Sequence, residues 1–151
     1  MIISEHISFS EATFSETAER HGISNLPNLK EIFNMRKLAD RVFEPLRAHI
    51  GHPIRINSFY RSIELNRKVG GSATSQHCRG QAMDISKCIN CYTDADLFRF
   101  IRDNLEFDQL IWEFGTDEEP DWVHVSYNEG QNRRQVLRSV IQAGKTIYQK
   151  I

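Results

Sequence analysis

The sequence predicts an α+β domain with N-terminal helices packed on a small, largely antiparallel sheet. Three observations carry this. Ile32, Met35, Leu38, Ala39, Val42 and Leu46 recur at helical spacing in the first third of the chain. Short apolar or alternating segments follow at 54–59, 81–86, 107–114 and 122–127. Few helices separate those segments, a pattern of helices first and strands after.

Element by element, residues 8–22 read as a short helix. Ser10 or Ser8 caps it, Glu11 lies in its first turn and Gly22 ends it. A loop at 23–28 holds Pro27, and a longer helix covers 29–49. Pro45 near its end predicts a kink or a break, because proline has no backbone N–H to donate. Gly51-His52-Pro53 is a turn into the strand at 54–59. A helix at 62–69 closes at Gly70-Gly71, and 72–80 is loop. The strand at 81–86 leads to a helix at 93–104, opened by Thr93 or Asp94. The strand at 107–114 and a polar loop with Gly115 and Pro120 precede the last strand, 122–127. The tail after Gly130 is mixed and receives no element.

With 151 residues the chain fits one domain, 1–151, able to bury a core without disulfides. Its 19 basic and 20 acidic residues nearly cancel, so the basic footprint of a nucleic-acid binder is missing. No apolar run approaches the roughly 20 residues of a membrane span. Met-Ile-Ile-Ser-Glu-His does not read as a secretory signal, so synthesis in the cytoplasm is expected. A monomer is the expected state. Cys88 and Cys91 form a CxxC, but a zinc ribbon needs a second pair, and the third cysteine, Cys78, stands alone. Free thiols in a reduced compartment are the expectation.

Two segments carry chemistry: Ser75-Gln76-His77-Cys78-Arg79-Gly80-Gln81-Ala82-Met83-Asp84 and Asp121-Trp122-Val123-His124-Val125-Ser126. On strands, side chains alternate between faces. Ala82 and Asp84 therefore share one face, as do Trp122, His124 and Ser126, while Met83, Ile85, Val123 and Val125 face the core. If the two strands are neighbours, Asp84 and His124 converge on one polar spot. His77 lies in the loop feeding the first strand, and Gly80 lets that loop turn back. Two imidazoles and a carboxylate are a standard set for catalytic zinc. Taken singly, His-x6-Asp is a common spacing and His124 is equally readable as a satisfied sheet histidine.

These residues resemble a known family. Ser75-x-His77-x-x-Gly80-x-Ala82-x-Asp84, followed by Trp122-x-His124, resembles the zinc D-alanyl-D-alanine carboxypeptidases. That family includes phage endolysin peptidases and vancomycin-resistance dipeptidases, and shares the hedgehog signalling domain's fold. Ser58-Phe59-Tyr60-Arg61-Ser62, Leu65-Asn66 with Gly70-Gly71, and Phe107-Asp108-Gln109-Leu110-Ile111 resemble further segments of it. Ser10-Glu11-Ala12 and Ser15-x-x-Ala18 resemble the N-terminal helix of its phage-like members.

The resemblance implies a zinc metallopeptidase acting on peptidoglycan stem peptides, as a D-Ala-D-Ala carboxypeptidase or an endolysin endopeptidase. It implies His77, Asp84 and His124 as ligands of Zn2+. It implies Asp121 as the carboxylate that takes a proton from the attacking water and returns it to the leaving amine. Glu118 and Glu119 are rivals for that role. Arg61 is implied at the scissile carbonyl or a substrate carboxylate. Ser75 and Gln76 are candidates to donate to substrate or to orient His77, and Trp122 to line the cleft. Gln109 and Glu113 are weaker candidates of equal strand parity, and Glu113 is equally suited to pair with an arginine. Cys78 and Arg79 fill positions that the family leaves variable. Two other readings stay open: a non-catalytic, zinc-stabilised wall-binding or phage structural module, and a cytoplasmic dipeptidase acting on D-Ala-D-Ala.

Overall fold

The computed structural model describes residues 1–87 and 91–151. A short N-terminal hairpin comes first, with β1 at Ile2–Ser4 and β2 at Ile7–Ser8. Segments this short carry too few residues to show a period, so the sequence alone does not reveal them. Ile3 and Ile7 are nonetheless buried in the main core.

The single helix expected at 8–22 is two helices, α1 at Phe9–Thr13 and α2 at Glu16–His21. Each has its own serine cap. Ser8 accepts from the backbone N–H of Glu11, and Ser15 from that of Ala18. A serine hydroxyl that binds a backbone N–H competes with the helix ladder, and Phe14 between them is extended.

The helix expected at 29–49 begins at Leu29 with a reciprocal Asn28/Glu31 cap. It runs as α3 at Leu29–Leu38, a wide turn at Ala39–Phe43 and α4 at Glu44–Ile50. In the wide turn Glu44 N–H reaches back five residues to the Ala39 carbonyl. Pro45 has no N–H for the Arg41 carbonyl, and the helix accommodates this by widening rather than breaking.

A six-stranded sheet follows. It contains β3 at Ile54–Ser58, β4 at Ala82–Lys87, β5 at Gln109–Glu113, β6 at Trp122–Ser126, β7 at Gln135–Gln142 and β8 at Lys145–Lys150. Helices α5 at Ile63–Lys68 and α6 at Asp94–Asn104 lie between strands. The spatial order is β3-β4-β6-β5-β7-β8, antiparallel throughout except for the parallel β5–β7 pair. The fold is thus α+β with a largely antiparallel sheet. The tail without an assigned element forms the β7–β8 hairpin, whose turn residues Ala143 and Gly144 both have positive φ. Gln135–Gln142 does not alternate cleanly between polar and apolar, so its strand character is not legible locally.

One face of the sheet is dry. Met83, Ile85, Leu110, Trp112, Val123 and Val125 are buried there in one cluster with Leu38, Leu46 and Phe98 of the helices. The other face carries the polar residues, so the helical layer leaves that side of β4 and β6 available for a site. No helix among the described residues is long and apolar enough to cross a membrane. Cys78 and Cys91 are free thiols, while Cys88 of the CxxC lies outside the described residues.

Candidate metal centre

Asp84 on β4 and His124 on β6 are register partners, so the strand ladder sets them side by side on one face. His77 comes from a 3-10 turn, Gln76–Arg79, between α5 and β4. Ser75 opens this turn by accepting the His77 N–H, and Gly80 closes it at φ 69. Gly80 is required twice over. A Cβ there would lie 2.4 Å from the Glu31 carbonyl oxygen on α3, and its backbone is left-handed. Asn34 on α3 donates to the Arg79 carbonyl, which ties the turn to the helix.

These constraints aim three side chains at one point. His77 Nε2 is 3.3 Å from Asp84 Oδ2, and His124 Nδ1 is 2.9 Å from Asp84 Oδ1. The two rings are edge to face, 5.2 Å apart. One ligand atom from each residue can be chosen so that all lie within 4.8 Å of one another. The His77 tautomer follows from its neighbour. Nδ1 is 2.7 Å from the Phe59 carbonyl oxygen, which has no proton, so Nδ1–H donates and Nε2 carries the lone pair. That Nε2 is buried and has no hydrogen-bond partner among the described residues.

Electrostatics agree with a ligand role. Burial pushes the His77 imidazole below its ordinary pKa and keeps it neutral. Burial opposes the charge on Asp84, but the hydrogen bond from His124 Nδ1 outweighs it and holds the carboxyl well below the usual range. A buried lone pair facing an ionised carboxylate lacks the positive charge that would satisfy both. A divalent cation fits that vacancy of charge, and the nitrogen and oxygen donors suit zinc.

Arg61 borders the triad, with Nη2 3.9 Å from Asp84 Oδ2. Its Nη1 donates to Asn66 Oδ1, and Asn66 Nδ2 donates to the Ser72 carbonyl. Gly71 makes this possible: a Cβ there would stand 2.0 Å from Asn66 Oδ1 and 3.0 Å from Arg61 Nη1. The Asn66 and Gly70-Gly71 signature is therefore the seat of Arg61 as well as a helix stop.

A family model described as Peptidase M15 matches residues 5–126, which span all three triad residues and Arg61. The chain belongs to the peptidase M15 family. No curated protein matches it. M15 membership implies a zinc-dependent peptidase, and the His77–Asp84–His124 cluster is a possible place for the ion.

In this M15 chain the other candidate residues have different settings. Asp121 is exposed, just before β6, and its backbone N–H donates to the Glu113 carbonyl. Its carboxylate has no hydrogen-bond partner among the described residues. Glu119 is engaged elsewhere, accepting from the N–H groups of Asp94 and Ala95 at the start of α6. Glu118 is exposed. Trp122 is half-buried with its ring 5.5 Å from that of Phe114. Gln76 Nε2 donates to Asp108 rather than toward His77.

Gln109 and Glu113 lie on the triad's face, as their parity suggests, but they pair with Gln135 and Ser139, not with an arginine. Burial raises the pKa of Glu113. The Phe59 carbonyl and buried Asp108, which binds Arg133 and Gln76, escape a reading by residue type. Backbone groups carry no sequence signal, and Asp108 looks like any strand-edge aspartate.

Proposed function

We propose that this M15 protein hydrolyses peptide bonds in the stem peptides of bacterial peptidoglycan, as a D-Ala-D-Ala carboxypeptidase or an endolysin-type endopeptidase. The observation that carries the reading is the orphaned, buried Nε2 of His77 beside the ionised Asp84, with Arg61 alongside. Zinc bound by His77, Asp84 and His124 supplies Lewis acidity and lowers the pKa of water. Asp121, with its free carboxylate, takes the proton from the attacking water and passes it to the leaving amine. Arg61 stabilises negative charge on the carbonyl oxygen of the substrate, as a seated guanidinium does at low reorganisation cost. Ser75, which caps the ligand turn, and Gln76, its first residue, are assigned to substrate contact. Gln76 already donates to Asp108, so its amide carbonyl is the group left for a substrate N–H. Trp122, next but one to His124, supplies an apolar wall. The likeness of the N-terminal helices to phage-like members supports a lysis enzyme that meets the wall after release.

The test is digestion of purified sacculi, with fragments identified by mass spectrometry, with and without a chelator. Zinc-loaded protein is expected to release new amines and new stem-peptide fragments. Asp121→Ala is expected to keep its zinc and lose about 100-fold or more in rate. Zinc-loaded protein that binds sacculi and cleaves nothing would refute the enzyme and favour a wall-binding module.

A further inference from the structure

We propose that Tyr148, on β8, is a substrate-contacting residue that donates its phenol hydrogen bond to a backbone carbonyl of the peptide in the metal cleft. The inference rests on the peptidase reading above. It concerns a part of the chain outside the family match, which ends at Ser126, whereas β7 and β8 follow it.

The argument is one of register. Asp84, His124 and Ile111 form one rung across β4, β6 and β5. The next rung on the same face runs Trp122, Glu113, Ser139, Tyr148 across β6, β5, β7 and β8. Within this rung the Ser139 hydroxyl donates to the Glu113 carboxyl. Tyr148 therefore stands at the end of a row that begins at Trp122, two residues from a proposed ligand. It is 54% exposed, and its hydroxyl has no hydrogen-bond partner among the described residues.

Its surroundings select the partner. Partial burial, and then the negative charges of Glu113 and Asp84, hold the proton on the phenol. It is thus a lasting donor. A peptide lying along this rung offers it backbone carbonyls as acceptors. The β7–β8 hairpin is then a wall of the cleft, added to the part of the sheet within the family match.

Nitration tests this independently of turnover. Of the four tyrosines, Tyr60 and Tyr127 are buried, Tyr92 is half-buried and Tyr148 is exposed, so tetranitromethane should modify Tyr148 first. Nitrophenol absorbance then reports local charge. Adding Zn2+ alone is expected to shift its titration to lower pH. A stem pentapeptide ending in D-Ala-D-Ala is expected to change the spectrum further. Tyr148→Phe is expected to lower kcat/KM about tenfold, the loss of one hydrogen bond, at unchanged zinc content and Tm. A nitrophenol that is silent to the pentapeptide, or a Tyr148→Phe variant indistinguishable from its parent, overturns the assignment. If the parent cleaves nothing, the peptidase reading falls, and the nitrophenol alone decides: response to the pentapeptide keeps the contact, silence removes it.

Discussion

Asp108→Asn tests how the ligand turn is braced. Asp108 is 1% exposed, and its two oxygens accept four hydrogen bonds. Oδ1 takes the Arg133 backbone N–H and Nε, both at 2.9 Å, and Oδ2 takes Gln76 Nε2 and Arg133 Nη2, both at 2.8 Å. Asparagine must put an amide nitrogen at one of these positions. At the Oδ1 position it would oppose two arginine donors. At the Oδ2 position Gln76 can turn its own amide and accept, leaving only Arg133 Nη2 opposed. The second arrangement wins, so the variant loses one charge-assisted bond, worth about 1.5–3 kcal/mol. The Arg133 side chain is 57% exposed, so water replaces part of the loss. The expected cost is therefore at the low end, about 1.5–2 kcal/mol. Urea unfolding should show it as a lower midpoint at an unchanged m-value.

The pH dependence has a definite sign. Burial opposes the charge on Asp108, but Arg133 and Gln76 outweigh it and hold the carboxyl below its ordinary value. A depressed folded pKa contributes stability that is full above the unfolded value and is lost as pH falls through the folded one. The gap between parent and Asp108→Asn should close on acidification. A variant as stable as its parent at neutral pH, or a gap that widens in acid, would refute the reasoning.

Three further outcomes are expected. Zinc should raise the Tm of the parent and a chelator reverse it, while His77→Ala shows neither shift nor stoichiometric zinc by atomic emission, because its Nε2 is the buried donor. Glu119→Ala should cost about 0.5–2 kcal/mol in thermal unfolding by removing the acceptor for the first two N–H groups of α6, yet leave kcat/KM intact, which separates it from Asp121. Gly80→Ala should cost about 2–4 kcal/mol, since the added carbon meets a backbone carbonyl and the left-handed φ is strained; unchanged denaturant stability would show that the turn yields freely.

The helical stripe from Ile32 to Leu46 and the apolar parity of Met83, Ile85, Val123 and Val125 were legible locally, because burial of one face imposes a period on the chain. The same parity correctly placed Asp84 and His124 on a common face, while it was the family resemblance, beyond residue type and spacing, that singled out His77 with them as candidate ligands. What failed locally were features whose cause lies elsewhere in the chain. Whether Pro45 breaks the helix or widens it depends on how its neighbours pack. The β7–β8 hairpin has little periodicity of its own and exists as a strand pair because β5 offers it an edge. Sequence alone proposed that two histidines and an aspartate belong together. Only the tertiary structure decided that the Phe59 carbonyl selects the His77 tautomer, that Gly71 makes room for Arg61 and Asn66, that Glu119 is spent on α6, and that Tyr148 shares the face of the triad. Those outcomes depend on contacts between residues far apart in the chain, and a linear pattern holds no record of such distances.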